Sequence, residues 1–117
     1  MNGPRMSPEP SRIEGRSGGG WVVSGRLYLP ALLVTASLAQ SLGPLAFETL
    51  DAAALPPLDA VDLLLLGTGP AMLRPAPVFV AAARARGLRI EAMDSAAAAR
   101  TFNVLVAEER RVAALLL

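Results

Sequence analysis

Apolar and polar residues alternate at different periods along this chain, and each change of period marks a change of element. From Leu88 onward, Leu88, Ile90 and Ala92 alternate with Arg89 and Glu91, the period-2 pattern of a strand. Asp94 follows where a helix N-cap belongs, its carboxylate able to accept first-turn N–H groups. Ala96 to Ala99 are strong helix formers, and the helix is expected to run to about Arg110. At roughly 100° per residue, Ala98, Phe102, Leu105 and Val106 share its core-facing stripe. Val112 to Leu117 is a short apolar run that suits a buried strand. The last thirty residues therefore read as strand, turn, helix, strand.

The same reading extends upstream. Val61-Asp62 leads into four consecutive leucines, Leu63 to Leu66, which suit a central strand covered on both faces. The run ends at Gly67-Thr68-Gly69-Pro70. Beyond Pro75 and Pro77, Val78 to Arg86 predicts a helix with its Ala-rich face inward and Gly87 at its C-terminal end. Strand, helix and the strand from Leu88 make a right-handed βαβ unit with a parallel pair. Nearer the N-terminus, Trp21-Val22-Val23 and Arg26 to Leu29 flank Ser24-Gly25 and predict a hairpin. Ala31 to Thr35 is a further strand, a turn is expected around Ser41 to Pro44, and Leu45 to Phe47 should be extended. Thr49 to Leu55 can form one or two helical turns, ended by Pro56-Pro57. Residues 1–11, rich in Pro and Ser, read as a flexible tail, and residues 12–117 as a single α/β domain.

Composition narrows the chemistry more than it names it. With 53% apolar residues in 117, the chain can bury one core. A net charge of +1 supplies no field for nucleic acid or an anionic membrane, and 4% aromatic residues supply few stacking platforms. Every cation is Arg; Lys, His and Cys are absent. That excludes disulfides, thiolate nucleophiles, Cys/His zinc sites, Schiff bases and a His general base. No cofactor or metal is implied. The uncharged stretch Leu27 to Phe47 is nominally long enough to span a bilayer, but it holds Thr35, Ser37, Gln40 and Ser41, and Pro30 and Gly43-Pro44 would break such a helix near both ends. No membrane span is expected, residues 1–20 contain no apolar signal core, and a cytoplasmic location follows as the expectation.

Two places carry candidate chemistry. Gly67, Thr68 and Gly69 lie at the carboxyl end of a buried strand, where open α/β sheets bind ligands. A dinucleotide fingerprint would need glycine at position 72, which is Met72, and Pro70 removes a backbone N–H. The turn is thus either a tight structural reversal or the floor of a small pocket. On the last helix, Arg100 and Asn103 occupy the stripe beside the core face. They either anchor a local network, against Glu108 or a loop carbonyl, or contact a ligand or partner. Asp94-Ser95 is most simply a cap, with an acid/base role for Asp94 as the other reading. Asp59 and Asp62 sit at the opposite strand end, so they cannot pair with Asp94.

The stretch Val61-Asp62-Leu63-Leu64-Leu65-Leu66-Gly67-Thr68-Gly69, followed by Gly87-Leu88-Arg89-Ile90-Glu91-Ala92-Met93-Asp94-Ser95 and on through Arg100-Thr101-Phe102-Asn103, resembles the small Mth-type domain of unknown function. That family includes the mitochondrial complex I assembly factor 3 and many bacterial proteins. The resemblance implies a three-layer α/β domain with a central mixed sheet, a C-terminal helix and strand, and a separate β-hairpin element. It also implies that Gly67, Thr68, Gly69, Asp94, Arg100, Thr101 and Asn103 lie near one another as a ligand or partner cleft. Relatives often carry Cys and Tyr where this chain has Ala99 and Phe102, so thiol or phenol chemistry at those places is ruled out here. The implied function is a non-enzymatic binding or assembly module with a protein partner, of the kind that assembles a respiratory or membrane complex. A small-molecule-binding domain or enzyme using a cleft at the glycine turn is the alternative, and the oligomeric state, homodimer included, is left open.

Overall fold

The computed structural model describes residues 5, 6 and 9–117. Among the described residues, nine strands and two α-helices follow one another as β1 (Arg5–Met6), β2 (Ile13–Ser17), β3 (Gly20–Val23), β4 (Arg26–Tyr28), β5 (Ala31–Thr35), β6 (Leu38–Leu42), β7 (Leu63–Gly67), α1 (Pro77–Ala85), β8 (Arg89–Met93), α2 (Ser95–Ala107) and β9 (Val112–Leu116). Short 3₁₀ turns at Phe47–Thr49 and Ala52–Ala54 fill the crossing between β6 and β7. Of the expected tail, residues 1–4, 7 and 8 lie outside the described residues. Arg5 and Met6 pair antiparallel with Ala39 and Leu38, and the Ser11 N–H donates to the Ala36 carbonyl.

Strands β1, β6, β5, β9, β7 and β8 form one mixed sheet in that order, and β2, β3 and β4 form a second, antiparallel one. β7 runs parallel to both β8 and β9, while β5 is antiparallel to β9. The chain steps outward from β7 to β8 through α1, then back across β7 to β9 through α2. One hand of crossover taken in opposite directions puts the two helices on opposite faces. Phe79 and Ala83 of α1 accordingly pack with Leu64, Leu66, Leu33, Ala113 and Leu115. Ala98, Phe102 and Val106 of α2 pack with Leu63, Leu65, Val112, Ala114 and Leu116 on the other side. The strict alternation along β7 and β9 is what a strand sandwiched between two layers requires.

The three-stranded sheet shares the α2 face of the large sheet. Trp21 and Tyr28, directly opposite one another across β3 and β4, are buried in the same cluster as Leu32, Val34 and Phe102. The domain is therefore three layers: α1 with the 3₁₀ turns, the mixed sheet, then α2 beside the small sheet. The expected hairpin is present at Ser24-Gly25, but Ile13–Ser17 extends it into a meander, turning back at Gly18-Gly19 (φ +54° and +82°).

Several boundaries differ from the sequence reading for identifiable reasons. The leucine strand is interior but not central, because β9 inserts between it and β5. Leu38–Leu42 is a strand; its mixed Leu-Ala-Gln-Ser-Leu pattern hides it. Phe47, expected to end an extended piece, instead begins the 3₁₀ turn Phe47–Thr49, and the helical turn expected within Thr49 to Leu55 is the one at Ala52–Ala54. Helix α2 stops at Ala107, three residues early, because Glu109 adopts φ +61° and the Arg110 N–H folds back onto the Leu105 carbonyl.

Phe102 is fully buried at the meeting point of both sheets and α2, whereas Val104 on the same helix is 56% exposed. Phe102→Ala is expected to lower unfolding free energy by about 3–5 kcal/mol, and Val104→Ala to change it by less than about 0.5 kcal/mol. Urea titration followed by circular dichroism measures both.

Candidate functional site

The carboxyl ends of β7, β8 and β9 lie side by side, and the segment after β7 meets the start of α2. The Thr68 N–H donates to the Met93 carbonyl at 2.9 Å, and the Ser95 N–H donates to the Gly69 carbonyl at 2.8 Å. Ser95 is buried; its hydroxyl accepts the Gly69 N–H at 2.8 Å and donates to the Leu117 carbonyl at 3.0 Å. The Leu117 N–H in turn donates to the Gly67 carbonyl. Thr68 Oγ1 accepts the Leu73 N–H and lies 2.6 Å from the Ala71 carbonyl, shaping the loop toward α1. Asp94 caps α2, its carboxylate accepting the Ala97 N–H at 2.8 Å. This is a braced corner. The N–H groups of Thr68 and Gly69 are already used and Pro70 has none, so no cradle of free donors is presented to a phosphate.

Gly67 has a steric reason of its own. A Cβ there would lie 2.7 Å from Leu116 Cδ2, 2.8 Å from Ser95 Oγ and 2.9 Å from Ser95 Cα. The absent side chain lets the first residues of α2 close against the end of β7. Of the two readings of this turn, the close structural approach has a concrete partner in Ser95, which takes the space a side chain on Gly67 would need.

Arg100 and Asn103 sit elsewhere. Arg100 lies six residues beyond the cap, about 9 Å along the helix axis. Asn103 reaches the small sheet: its Oδ1 accepts the Ile13 N–H and its Nδ2 donates to the Ile13 carbonyl, both at 2.8 Å. Its partner is thus neither Glu108 nor a loop carbonyl but the edge strand β2. Between β2 and α2 a groove of about 400 Å³ opens, lined by Glu14, Gly15, Arg16, Trp21, Ala96, Ala99, Arg100 and Asn103. Thr101, half-buried, is turned about 100° further round the helix and does not line it. The seven residues grouped by sequence therefore divide. Gly67, Thr68, Gly69 and Asp94 form the corner, while Arg100 and Asn103 belong to the groove.

The groove has an electrostatic character that the net charge conceals. The Arg16 guanidinium stacks over the Trp21 ring, 5.2 Å from its centroid, which orients the cation at the rim. Arg100 is exposed and its guanidinium makes no hydrogen bond or ion pair among the described residues. The one acid, Glu14, is turned to the hairpin, where Oε1 accepts the Gly25 N–H at 2.9 Å. Sequence reasoning missed Glu14, Gly15 and Arg16, because a strand starting at Ile13 only becomes visible once its partner β3 is known. No group of three or more acidic side chains converges on a metal position among the described residues.

A family model described as "Protein of unknown function (DUF498/DUF598)" matches residues 13–117. The chain belongs to this family. The matched span of the Mth-type domain starts at Ile13, the residue Asn103 holds, and so takes in both walls of the groove. Among solved structures, a Bordetella parapertussis protein is similar with 30% identity and a TM-score of 0.84, covering 95% of this chain and 98% of its own. A Bartonella henselae protein described as an outer membrane protein follows with 27% identity and a TM-score of 0.78, covering 97% and 98%. A Bordetella pertussis protein described as a Mth938-like domain has 28% identity and a TM-score of 0.67, covering 97% and 91%. No curated protein matches. Among the described residues of this Mth-type domain, no helix is long and apolar enough to cross a membrane.

Corner and groove separate experimentally. Asn103→Leu leaves the part-buried Ile13 N–H and C=O unpaired and is expected to cost about 1–3 kcal/mol, with Arg100→Ala near neutral. Gly67→Ala forces Ser95 or Leu116 to move, at about 1–3 kcal/mol. Thermal denaturation of the three variants against the parent checks the order.

Proposed function

We propose that this domain is a non-enzymatic binding module that contacts a partner protein through the groove between β2 and α2. It serves, in this reading, in the cytoplasm as an assembly factor for a respiratory or membrane complex, as the likeness to the mitochondrial assembly factor implies. One observation carries the choice of surface: Arg100, whose guanidinium has no partner among the described residues, stands over a groove whose two walls are held together by Asn103. A cation that stabilises nothing within the fold is free to pair with a group from outside. The Bartonella relative described as an outer membrane protein keeps a membrane-linked setting in view, though that description concerns the relative. A small-molecule site at the Gly67–Gly69 turn has less behind it, since Ser95 fills that position and the turn's donors are paired.

Affinity purification of the tagged chain from its source organism tests the proposal. The parent is expected to enrich subunits of a respiratory or membrane complex. Arg100→Glu should lower their recovery by about tenfold while leaving the melting temperature unchanged. Failure of the parent to enrich such a complex, or equal recovery with the charge-reversed variant, would overturn it.

A further inference from the structure

The small sheet has an edge that α2 only partly covers. β2 pairs with β3 on one side, and its other side turns toward the helix, where Asn103 takes the N–H and C=O of Ile13. A carboxamide that both accepts from and donates to one residue does what the backbone of an adjoining strand would do. Further along β2 that substitute ends. Ser17 and Gly20 close the two-residue turn at Gly18-Gly19 as a hydrogen-bonded pair, so the next pair, Arg16 and Trp21, is a non-hydrogen-bonded one. The N–H and C=O of Arg16 therefore point away from β3, on the open edge that lines the groove.

The groove has the shape and charge for one kind of occupant. Its lining includes three small residues, Gly15, Ala96 and Ala99, and a Cβ built on Gly15 would meet nothing within 4 Å. That leaves room for the backbone of another segment to lie against β2. The irregular pairing between Ile13 and Gly15 is a bulge, which bends the strand where Asn103 lets go. Two cations, Arg16 and Arg100, line the space, and Glu14 is engaged with the hairpin.

We infer that an extended, acidic segment of the partner protein adds to β2 as a fourth strand, pairing its backbone with Arg16 and its carboxylates with Arg100 and the Arg16 guanidinium. Strand addition beside a helix uses main-chain hydrogen bonds for affinity and side-chain pockets for choice of sequence. This rests on the reading of the groove as the protein-binding surface, and adds what binds there and in which conformation.

The test uses the full chain, nitrogen-15 labelled, and a synthetic peptide of about five residues alternating valine and aspartate. Amide shifts are expected at Gly15, Arg16, Ala96 and Arg100, with a change in fluorescence of Trp21, the chain's one tryptophan. A version with lysine in place of aspartate should bind at least about tenfold more weakly, and Arg100→Glu should reverse that preference. N-methylation of alternate peptide bonds, which deletes strand donors and keeps every side chain, should also weaken binding by about tenfold. Equal binding of the N-methylated peptide, or the same shifts from acetate alone, would overturn strand addition and leave only a carboxylate contact. Shifts confined to the exposed β8 edge, or none, would overturn the inference altogether. Neither result depends on the affinity purification, which stands or falls on whether a complex is captured.

Discussion

A three-stranded antiparallel sheet has two edges, and peptide groups at an edge must be paired or wetted. Here the edge of β2 meets helix α2, which offers no free backbone. Asn103 resolves the mismatch with a single side chain, accepting from and donating to Ile13 at 2.8 Å on each side. Each bond contributes about 0.5–1.5 kcal/mol net, modest beside the burial of Phe102. Its larger effect is positional. It fixes the spacing between the small sheet and α2, so the bulge that follows opens a groove at a set width rather than a collapsed seam.

At the other end of α2 a similar economy holds. Ser95 receives the Gly69 N–H and donates to the Leu117 carbonyl, tying the turn after β7 to the end of β9 through the first residue of the helix. Gly67 makes this possible by leaving the space into which Ser95 packs. The corner therefore holds the helix at its N-terminus, and Asn103 holds it again a little over two turns later. Between those two fixed points Ala96, Ala99 and Arg100 are presented to the groove. Pinned at two points, this stretch of helix keeps the groove wall in one arrangement.

Much of this architecture could be read in the residues themselves. The four leucines of β7, the alternation in β8, the Asp94 cap and the stripe of Ala98, Phe102 and Val106 all act locally and came out as expected. The Ser24-Gly25 hairpin did too. The segment Leu38–Leu42 did not, because Gln40 and Ser41 are consecutive and break the alternation that marks a strand, and β5 and β1 supply its pairing. Strand β2 was hidden as well. Ile13-Glu14-Gly15-Arg16-Ser17 has one apolar side chain and a glycine, and becomes a strand because β3 supplies the pairing. For the glycine turn the residue types allowed both a close structural approach and a pocket floor, and the close approach of Ser95 to Gly67 is a contact that only the fold reveals.

The sequence by itself determined the class of fold, the stripe by which α2 is buried, and the absence of thiol, imidazole and primary-amine side-chain chemistry, since these follow from local period and from residue type. Tertiary structure alone decided that β9 would insert between β5 and β7, that Ser95 would fill the place beside Gly67, and that Asn103 would find Ile13. Those contacts join positions far apart in the chain, and the energy of such a contact depends on distances that no local pattern encodes. Arg100 shows the difference. Its charge is written in the sequence, but that its guanidinium stays exposed and without a partner among the described residues was decided by the fold.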